Sequence, residues 1–580
     1  MTEKTYIKGK DSDLETSIST MQAKLKSFGF DIEEASWLNP VSNVYSVHIR
    51  DTSCPLMFTN GKGSTEKSCL ASALGEYFER LSCNYFFADF YLGEQHSQNE
   101  FVHYPNEKWF DSSGDVMPEG LMDKSLWDYF DPERELSPAK LFDINSGTGE
   151  RGICAAPYHR LRDEQTVYIP INVIANIFVS NGMSAGNTKN EARVQSLSEV
   201  FERYVKNMII AEGICLPDVP QEVINRYPLI KQAITELEGH GYTLKVADAS
   251  LGGKYPVMSV TLINPKDGSV FASFGAHPSF EVALERTVTE LLQGRNLDQL
   301  DVFHPPIFDI EEVASPANLE MHFIDSSGYI SNDFFRKTPD FEFYDWDHDS
   351  NTGDEFGYLS ELIHDMGFDI YISDYEHLNV YACRILVPGM SDIYPIDELV
   401  WENNNEGALF REDFLSLKQG DETQWRDILE RLDDGGYNDQ TLAAQFIGLA
   451  PDPDTLWSSV RLGEIKGMLC LALQDEEAID WIEWCLSLDQ ANEAARRHNL
   501  CLKALLEIKW DDDRHYADYE QGLALMYGPQ TVIDGIKIVE GEVSFYDLHC
   551  PGLSLQGFER HTALLEGYEK LQQAKSNNWK

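Results

Sequence analysis

The sequence lacks the features that mark secreted, membrane-spanning and zinc- or cluster-binding proteins. Its 580 residues contain ten cysteines, but none is spaced C-x-x-C or grouped with histidine at zinc spacing. We interpret them as reduced thiols of a cytoplasmic protein, and their spacing also excludes an iron–sulfur cluster of the usual Cys-rich type. No apolar run approaches the roughly 20 residues of a membrane span. The start, MTEKTYIKGKD, has no apolar signal region.

Positive charge is also scarce. Lys and Arg together number 46 against 97 Asp and Glu, so the formal net charge is −51. A chain this acidic repels nucleic-acid phosphates and anionic membrane surfaces, and we therefore predict no direct nucleic-acid or membrane partner. The same field attracts a basic protein or peptide, although solubility alone would also favour such a surface.

The apolar pattern predicts two parts with a boundary near residue 400. Residues 1–395 mix helices with runs rich in β-branched and aromatic residues, which indicates an α+β domain. Residues 396–580 show only amphipathic helical patterns, and we predict an all-α domain there with a weak likeness to tetratricopeptide hairpins. Residues 94–150 and 339–356 are typical of polar, turn-rich connections. The predicted strands are VYSVHIR (44–50), VYIPINVIANIFVS (167–180), YPVMSVTLI (255–263) and VYACRILV (380–387).

One helical pattern occurs more than once. GSTEKSCLASALGEYFERL (63–81) and GNTKNEARVQSLSEVFERY (186–204) align without a gap, and in both Glu-x-x-Glu-Arg follows a predicted strand and an Asn-Gly turn. A fainter third copy, VFASFGAHPSFEVALERTVTELLQGR (270–295), places Glu290 and Gln293 at the positions of Glu76 and Glu79. The sequence therefore predicts a unit of strand, glycine loop and acidic helix that occurs three times.

The repeated helices predict a carboxylate-lined site. Residues three apart lie on one face of a helix, so each Glu-x-x-Glu pair presents two carboxylates together. Clustered carboxylates repel one another and are costly to bury, so arginines or a divalent cation must compensate them. Magnesium prefers oxygen ligands and commonly also holds phosphate, and a helix N-terminus after a glycine loop favours an anion. Magnesium with a nucleoside triphosphate would explain the loops, the glutamates and the arginines together.

Other interpretations of the acidic helices stay open. A single Glu-x-x-Glu-Arg is usually a surface salt-bridge pattern, which the repetition makes less favoured here. A metallohydrolase without nucleotide would use the carboxylates but would leave the arginines unexplained. An ATP-bound scaffold would bind the nucleotide without turnover. The stretch NGKGST (60–65) resembles a Walker loop but lacks the upstream glycine, and we do not assign it as one.

Several stretches within residues 1–395 resemble the YcaO family. They include YIKGKD, EEASWLNPV, FTNGKG, ASALGEYFERLS, NGMSAGNTKNEARVQSLSEVFERYVKN, SFGAHPSFEVALERTVTELLQGR and YACRILVPGMSDIYP. The resemblance implies a protein that binds ATP without a Walker loop and holds Mg²⁺ with scattered acidic helices. Characterised members phosphorylate a peptide amide oxygen. The resemblance therefore also implies ATP hydrolysis coupled to a protein or peptide acceptor.

Matching this sequence to the family's motifs implies a set of site residues. The candidate magnesium ligands are Glu76, Glu79, Glu191, Glu199, Glu202 and Glu290. The candidate nucleotide contacts are Lys10, Ser17, Ser72, Asn187, Arg203 and Arg286. Arg80 and Gln293 complete the predicted pocket. The alignment of the repeats suggests two rings of side chains, Glu76/Glu199/Glu290 and Glu79/Glu202/Gln293.

The end of the chain differs from that of the azoline-forming members, which have a proline-rich P-x-P-x-P tail. This chain ends in LQQAKSNNWK, and no proline follows Pro551. It resembles instead the stand-alone subgroup, which is described as an accessory factor for β-methylthiolation of small-subunit ribosomal protein twelve. The implied partners are that basic protein and its radical methylthiotransferase, which agrees with the net charge of −51. A homodimer through the helical part is a further expectation.

Overall fold

The computed structural model describes residues 4–147, 149–300, 302–488 and 493–579. Twelve strands lie in the described residues. They are β1 Ile32–Val41, β2 Val44–Asp51, β3 Phe58–Gly63, β4 Lys108–Phe110, β5 Ile153–Arg160, β6 Thr166–Pro170, β7 Met183–Gly186, β8 Thr243–Asp248, β9 Val257–Ile263, β10 Val270–Ala276, β11 Tyr371–Tyr375 and β12 Tyr381–Leu386. All their pairings are antiparallel. They form two three-stranded sheets, β1–β2–β3 and β8–β9–β10, and a larger sheet in the order β4–β5–β11–β12–β7 with β6 beside β5.

Helices of the first part pack on these sheets. They are α1 Leu14–Ser27, α2 Glu66–Ser82, α3 Gly93–Ser97, α4 Lys124–Phe130, α5 Ile171–Val173, α6 Lys189–Glu212, α7 Gln221–Ile224, α8 Pro228–Gly239, α9 Phe280–Glu290, α10 Ile310–Val313, α11 Pro316–Ile324 and α12 Thr352–Asp365. The long helix α6 lies in a core between the sheet β8–β9–β10 and strands β11 and β12, where Leu197, Phe201 and Val205 are fully buried. The predicted α+β class is confirmed.

The described chain beyond residue 395 is helical, and no named strand occurs in it. Its helices are α13 Glu398–Trp401, α14 Arg411–Leu415, α15 Glu422–Gly435, α16 Ala443–Phe446, α17 Leu462–Leu473, α18 Ala478–Ser487, α19 Glu493–Lys509, α20 Tyr516–Tyr527, α21 Pro529–Val539 and α22 Glu559–Asn578. No helix in the described residues is long and apolar enough to cross a membrane.

The last helix returns to the first part of the chain. Leu564, Tyr568 and Leu571 on α22 share one core cluster with Met57 and Phe87. The Tyr568 and Phe87 rings meet edge to face at 4.8 Å between centroids. The amphipathic pattern of α22 predicts a helix but not the surface that it covers. The division at residue 395 and the tetratricopeptide likeness stay predictions.

The three predicted units of strand and acidic helix are present in the structure. β3 leads into α2, β7 into α6 and β10 into α9. In each unit one side-chain hydroxyl donates a hydrogen bond to a backbone carbonyl and so connects the helix to the strand or to the residue just before the strand. The pairs are Thr59 Oγ1 to Ala73 O (2.9 Å), Ser196 Oγ to Gly182 O (2.7 Å) and Ser273 Oγ to Thr287 O (2.9 Å). These pairs fall at the same aligned positions of the three copies, which supports the repeat independently of the acidic residues.

Glycines allow the helices of the first and third units to lie close to their strands. A Cβ at Gly61 would lie 2.2 Å from the carbonyl oxygen of Cys69 on α2. A Cβ at Gly275 would lie 2.4 Å from Thr287 Oγ1 on α9. Real Cβ atoms do not approach other atoms so closely, so these positions require glycine. The sequence predicted a glycine loop that favours an anion, but it did not predict this close packing of strand and helix.

Two predictions of local structure are wrong in part. Thr166–Pro170 is a strand, but Ile171–Val173 is helical and Ile174–Phe178 forms a π-helical turn rather than the predicted continuation of the strand. A run of buried apolar residues fits a strand and a buried helix equally well, so periodicity could not distinguish them. The predicted turn-rich stretch 339–356 also ends in helix, because Asn351 caps α12 at Thr352.

Candidate functional site

The acidic side chains are positioned by two helices that begin in the same way. Thr65 precedes α2 and Thr188 precedes α6, and each hydroxyl accepts a hydrogen bond from the backbone N–H three residues further on. Such an N-cap fixes the residue at which a helix begins. Glu76 and Glu199 each lie eleven residues after their cap, so the two helices present their glutamates at matching positions.

Each helix pairs its first glutamate with its own arginine. Arg80 Nη2 lies 2.7 Å from Glu76 Oε1, and Arg203 Nη1 lies 2.7 Å from Glu199 Oε1, so the i to i+4 ion pair is repeated. These four side chains are 23–26% exposed and can therefore be reached from solvent. Arg203 Nη1 also donates to Asn181 Oδ1 at 3.0 Å. The arginines compensate part of the negative charge, as the sequence predicted.

Lys62 is a residue of the acidic group that sequence reasoning missed. It lies on β3 and forms an ion pair with Glu290 at the end of α9. Burial lowers the pKa of Lys62 to about 8, against the opposing attraction of Glu202 and other nearby glutamates. The stretch FTNGKG around Lys62 resembles the YcaO family, but no motif marks Lys62 itself. The alignment of the three units distinguishes Lys62, because the aligned positions in the other two units hold the uncharged residues Ala185 and Ala276.

Two of the glutamates have raised pKa values. Burial and the repulsion of Glu199 and Glu76 raise the pKa of Glu79 well above its usual value, although Arg80 and Arg203 oppose the rise. Burial also raises the pKa of Glu199, again against the attraction of Arg203. Repulsion of this kind is relieved when a cation binds among the carboxylates. The electrostatics of the group therefore favour a bound cation.

A second group of predicted residues fastens the N-terminal segment to the start of α6. Glu191 is only 3% exposed. It accepts hydrogen bonds from Asn187 Nδ2 (2.9 and 3.1 Å) and Asp11 N (2.9 Å), and it lies 3.4 Å from Lys10 Nζ. Ser17 Oγ donates to Asn187 Oδ1 at 2.7 Å. Four predicted residues therefore lie together here, with Glu191 as the buried anchor.

Arg286 and His277 connect the two groups. Arg286 on α9 donates from Nη1 to Gln195 Oε1 on α6 at 2.8 Å. Burial, together with the nearby charges of Arg286 and Lys10, lowers the pKa of His277 to about 3, so the ring is neutral near pH 7. A Cβ at Gly9, where φ is +71°, would lie 2.9 Å from His277 Nε2, so the N-terminal segment rests directly on this ring.

Two further predicted residues have different placements. Gln293 donates from Nε2 to the carbonyl oxygen of Asn60 on β3, which joins it to the strand that carries Lys62. Ser72 lies on α2 one helical turn before Glu76 and is exposed. It has no hydrogen bond to another candidate residue in the described part of the chain. The two-ring arrangement stays a prediction.

The oxygen donors fit a hard divalent cation, although they do not surround a single point. Magnesium prefers carboxylate oxygen in octahedral geometry. In the described ranges, one group of three His, Cys, Asp or Glu side chains has all its ligand atoms within 4.8 Å of one another, namely His103, Asp143 and Cys154. His103 Nε2 lies 3.2 Å from Asp143 Oδ1 as a buried hydrogen-bonded pair. Glu76 and Glu199 form ion pairs with Arg80 and Arg203 instead, and would turn toward a cation on binding.

Comparison with protein families accounts for most of the chain. Residues 60–391 match the family described as YcaO cyclodehydratase, ATP- and Mg²⁺-binding. Residues 407–577 match the YcaO cyclodehydratase C-terminal domain. The protein therefore belongs to the YcaO family, and its first part carries that family's ATP- and Mg²⁺-binding domain. The family and the cofactors predicted from the sequence are confirmed.

Two curated relatives match over the full length. An Escherichia coli protein, "Ribosomal protein S12 methylthiotransferase accessory factor YcaO", is 53% identical over 581 residues, which cover 99% of each chain. A Haemophilus influenzae protein with the name "Uncharacterized protein" is 54% identical over 587 residues, which cover 100% of each chain.

Two solved structures are more distant. The structure of YcaO from Methanopyrus kandleri bound with AMPPCP and Mg²⁺ is 18% identical and has a TM-score of 0.41, and the match covers 67% of this chain and 95% of that one. A heterocyclase in complex with substrate and cofactor is 16% identical and has a TM-score of 0.42, with 68% and 56% covered.

Proposed function

We propose that this protein hydrolyses ATP in an Mg²⁺-dependent reaction coupled to a protein or peptide acceptor. We further propose that it acts as an accessory factor in β-methylthiolation of a small-subunit ribosomal protein. The observation that carries the first proposal is the convergence of Glu76 from α2 with Glu199 and Glu202 from α6 around Lys62, with Glu79 beside Glu76 and Glu199. The name of the Escherichia coli relative supports the second.

The two groups of residues would bind different parts of the nucleotide. The carboxylates of α2 and α6 would hold Mg²⁺, which neutralises phosphate charge when bound. Arg203 and Arg286 donate to phosphate oxygens and stabilise the charge that shifts during transfer. Lys10 and Asn187 bind the nucleotide near the start of α6, where Glu191 fixes both side chains.

The acceptor is an amide of a protein or peptide. Its oxygen bonds to the γ-phosphorus of ATP as the bond from that phosphorus to the ADP oxygen breaks. The phosphorylated amide is then open to attack by a nucleophile, and phosphate leaves. The net charge of −51 would draw a basic acceptor toward the site.

Steady-state ATP turnover tests the proposal. The wild type is assayed with Mg²⁺ and with a chelator, beside Glu199→Gln and Glu202→Gln. The control is Glu212→Gln, which removes an exposed carboxylate from the last residue of the same helix. We expect turnover to need Mg²⁺ and to fall at least about 10–100-fold in the first two variants, since even residues that only orient metal ligands have effects of that size. Circular dichroism and melting show that each variant is folded.

Three outcomes would contradict the proposal. Tight ATP binding with negligible turnover, with and without a basic peptide, would favour the ATP-bound scaffold. Metal binding without ATP affinity would favour a metallohydrolase that uses no nucleotide. Turnover that Glu199→Gln and Glu202→Gln leave unchanged would place the chemistry outside the acidic helices.

A further inference from the structure

A small cavity lies behind the acidic group. It has a volume of about 50 Å³ and lies at one face of the larger sheet. Tyr158 on β5, Tyr375 on β11 and Arg384 on β12 line it there. Cys83, four residues after Glu79, also lines it at the end of α2. The cavity therefore borders the helix that carries two candidate magnesium ligands.

Arg384 is a buried cation with no anionic partner. Its residue is 6% exposed, and its Nη2 donates to the carbonyl oxygen of Val179. Its Nε has no hydrogen-bond partner, and no carboxylate lies within 4.0 Å of the guanidinium in the described part of the chain. A buried charge is costly unless a counter-charge or hydrogen bonds compensate it. Arginine prefers planar or tetrahedral oxyanions, to which it donates two parallel hydrogen bonds.

The tyrosine and cysteine side chains around the cavity are neutral near pH 7. Burial raises the pKa values of Tyr104, Tyr158 and Tyr375 well above their usual range. Burial also raises the pKa of the Cys83 thiol to about 12. Near neutral pH these groups carry no negative charge. The Tyr104 hydroxyl donates to the carbonyl oxygen of Ser82 and the Cys83 thiol to that of Cys383, which leaves the hydroxyls of Tyr158 and Tyr375 as the donors for a ligand.

A second basic side chain adjoins the cavity. Lys575 on α22 is fully buried, and its Nζ donates to Asn84 Oδ1 and to the carbonyl oxygen of His103, two residues that line the cavity. One lining carboxylate belongs to Asp89, which is exposed at the rim. Burial lowers the pKa of Lys575 well below its usual value, so Arg384 is the main cationic group of the interior, while the acid lies at the solvent side.

The backbone beside the cavity is also unusual. Ile174–Phe178 forms a π-helical turn, and Val179 follows with φ +49° and ψ −112°. A positive φ is a rare and strained conformation for a β-branched residue. The turn directs the carbonyl of Val179 to Arg384, so the strained residue positions the guanidinium.

We propose that this cavity, defined by Arg384, Tyr158, Tyr375 and Cys83, binds a small oxyanion of carboxylate or phosphate size. The volume of about 50 Å³ is the space open to the centre of a water-sized sphere, and it exceeds the roughly 10–15 Å³ that one water needs. Two sources fit this chemistry: phosphate released from ATP, or a carboxylate group of the acceptor. The oxyanion site stands on the cavity and Arg384 alone, while its link to ATP turnover rests on the proposed function.

Anion titration of the nucleotide-free protein tests the site. Inorganic phosphate and acetate are each titrated at constant ionic strength, with chloride as the reference, and binding is followed by calorimetry and by melting temperature. We expect one saturable site that Arg384→Gln weakens about tenfold or more, which is the usual effect of losing a charge-assisted hydrogen bond in a buried site. Arg384→Lys should retain part of the affinity. Arg497→Gln, an exposed arginine on α19, is the matched control and should leave binding unchanged.

Tyr158→Phe keeps the ring and removes one hydroxyl, so it tests whether the anion binds in this cavity if Arg384→Gln fails to fold. We expect it to weaken binding several-fold. Binding of acetate alone would identify an acceptor carboxylate, and binding of phosphate alone would identify released phosphate. No saturable binding by the wild type would overturn the proposal. Phosphate binding that is lost in Arg286→Gln but kept in Arg384→Gln and Tyr158→Phe would overturn it too, since the anion would then occupy the nucleotide site. These measurements need no ATP turnover, so failure of the oxyanion site and failure of the proposed ATP hydrolysis are separable.

Discussion

Binding of Mg²⁺ with a nucleotide should release a proton from the acidic group. Burial and the repulsion of Glu199 and Glu76 raise the pKa of Glu79, and burial raises that of Glu199. Two carboxyls that repel each other titrate as a pair, and one of them keeps its proton to higher pH. A carboxylate must lose its proton before it binds a metal, so we expect proton release when the complex forms at a pH below the folded pKa of the pair.

The pH dependence has a definite sign. As pH rises, the pair loses its proton before the metal binds, so proton release falls toward zero and affinity for Mg²⁺ with nucleotide increases. For a carboxyl whose folded pKa is raised, the contribution to stability is present at low pH. It is lost as pH rises from the usual value of 4.5 through the folded pKa of Glu79. Mg²⁺ with nucleotide should oppose this loss.

Calorimetric titration with Mg²⁺ and the non-hydrolysable AMPPCP, in two buffers of different ionisation enthalpy, measures the released protons. Glu79→Gln cannot carry the proton, so its release should fall close to zero, while Glu212→Gln should behave as the wild type. If Glu79→Gln does not bind, the fall in release by the wild type between pH 6 and pH 9 decides the question. No release by the wild type, or the same release by Glu79→Gln, would refute the assignment of the raised pKa to this pair.

Two further predictions concern the repeat and the N-terminal anchor. Gly275→Ala should lower the free energy of unfolding by about 1–3 kcal/mol in urea denaturation, because its Cβ would press on α9. Gly239→Ala, where no atom lies within 4 Å of the added Cβ, should stay within about 0.5 kcal/mol, and equal effects of the two would contradict the packing role. Glu191→Gln removes a charged acceptor worth about 1.5–3 kcal/mol, so protease should cleave near Asp11 faster than in the wild type. An unchanged cleavage rate would show that Glu191 does not hold the segment.

The repeated unit could be predicted from sequence because its signals are local. The matching glutamates, the N-cap threonines and the strand before each helix all lie within about 20 residues of one another. The tie from Thr59 to Ala73 was not predicted, since a lone threonine in a strand carries no pattern. The equivalent hydrogen bond from Ser273 to Thr287 in the third unit identifies it as part of the repeat.

Other features depend on contacts between distant parts of the chain and were missed for that reason. Lys62 meets Glu290 across more than 200 residues, and a single lysine gives no periodic signal. In the sequence Arg384 is an ordinary residue of a predicted strand, and only the fold brings Val179 and the tyrosines next to it. The helix α22 was predicted, but the face of the first part that Tyr568 covers was not.

The most direct test of the central claim is a crystal structure with Mg²⁺ and AMPPCP bound. We expect Mg²⁺ to be bonded to glutamates of both α2 and α6, with Arg286 on the phosphates and with each metal drawing its ligands from one of the two predicted rings. Ligands drawn at random across the rings would refute that arrangement but not the site. Mg²⁺ held away from both helices, or AMPPCP bound without contact to Glu199 or Glu202, would contradict the claim that the repeated acidic helices form the Mg²⁺–ATP site.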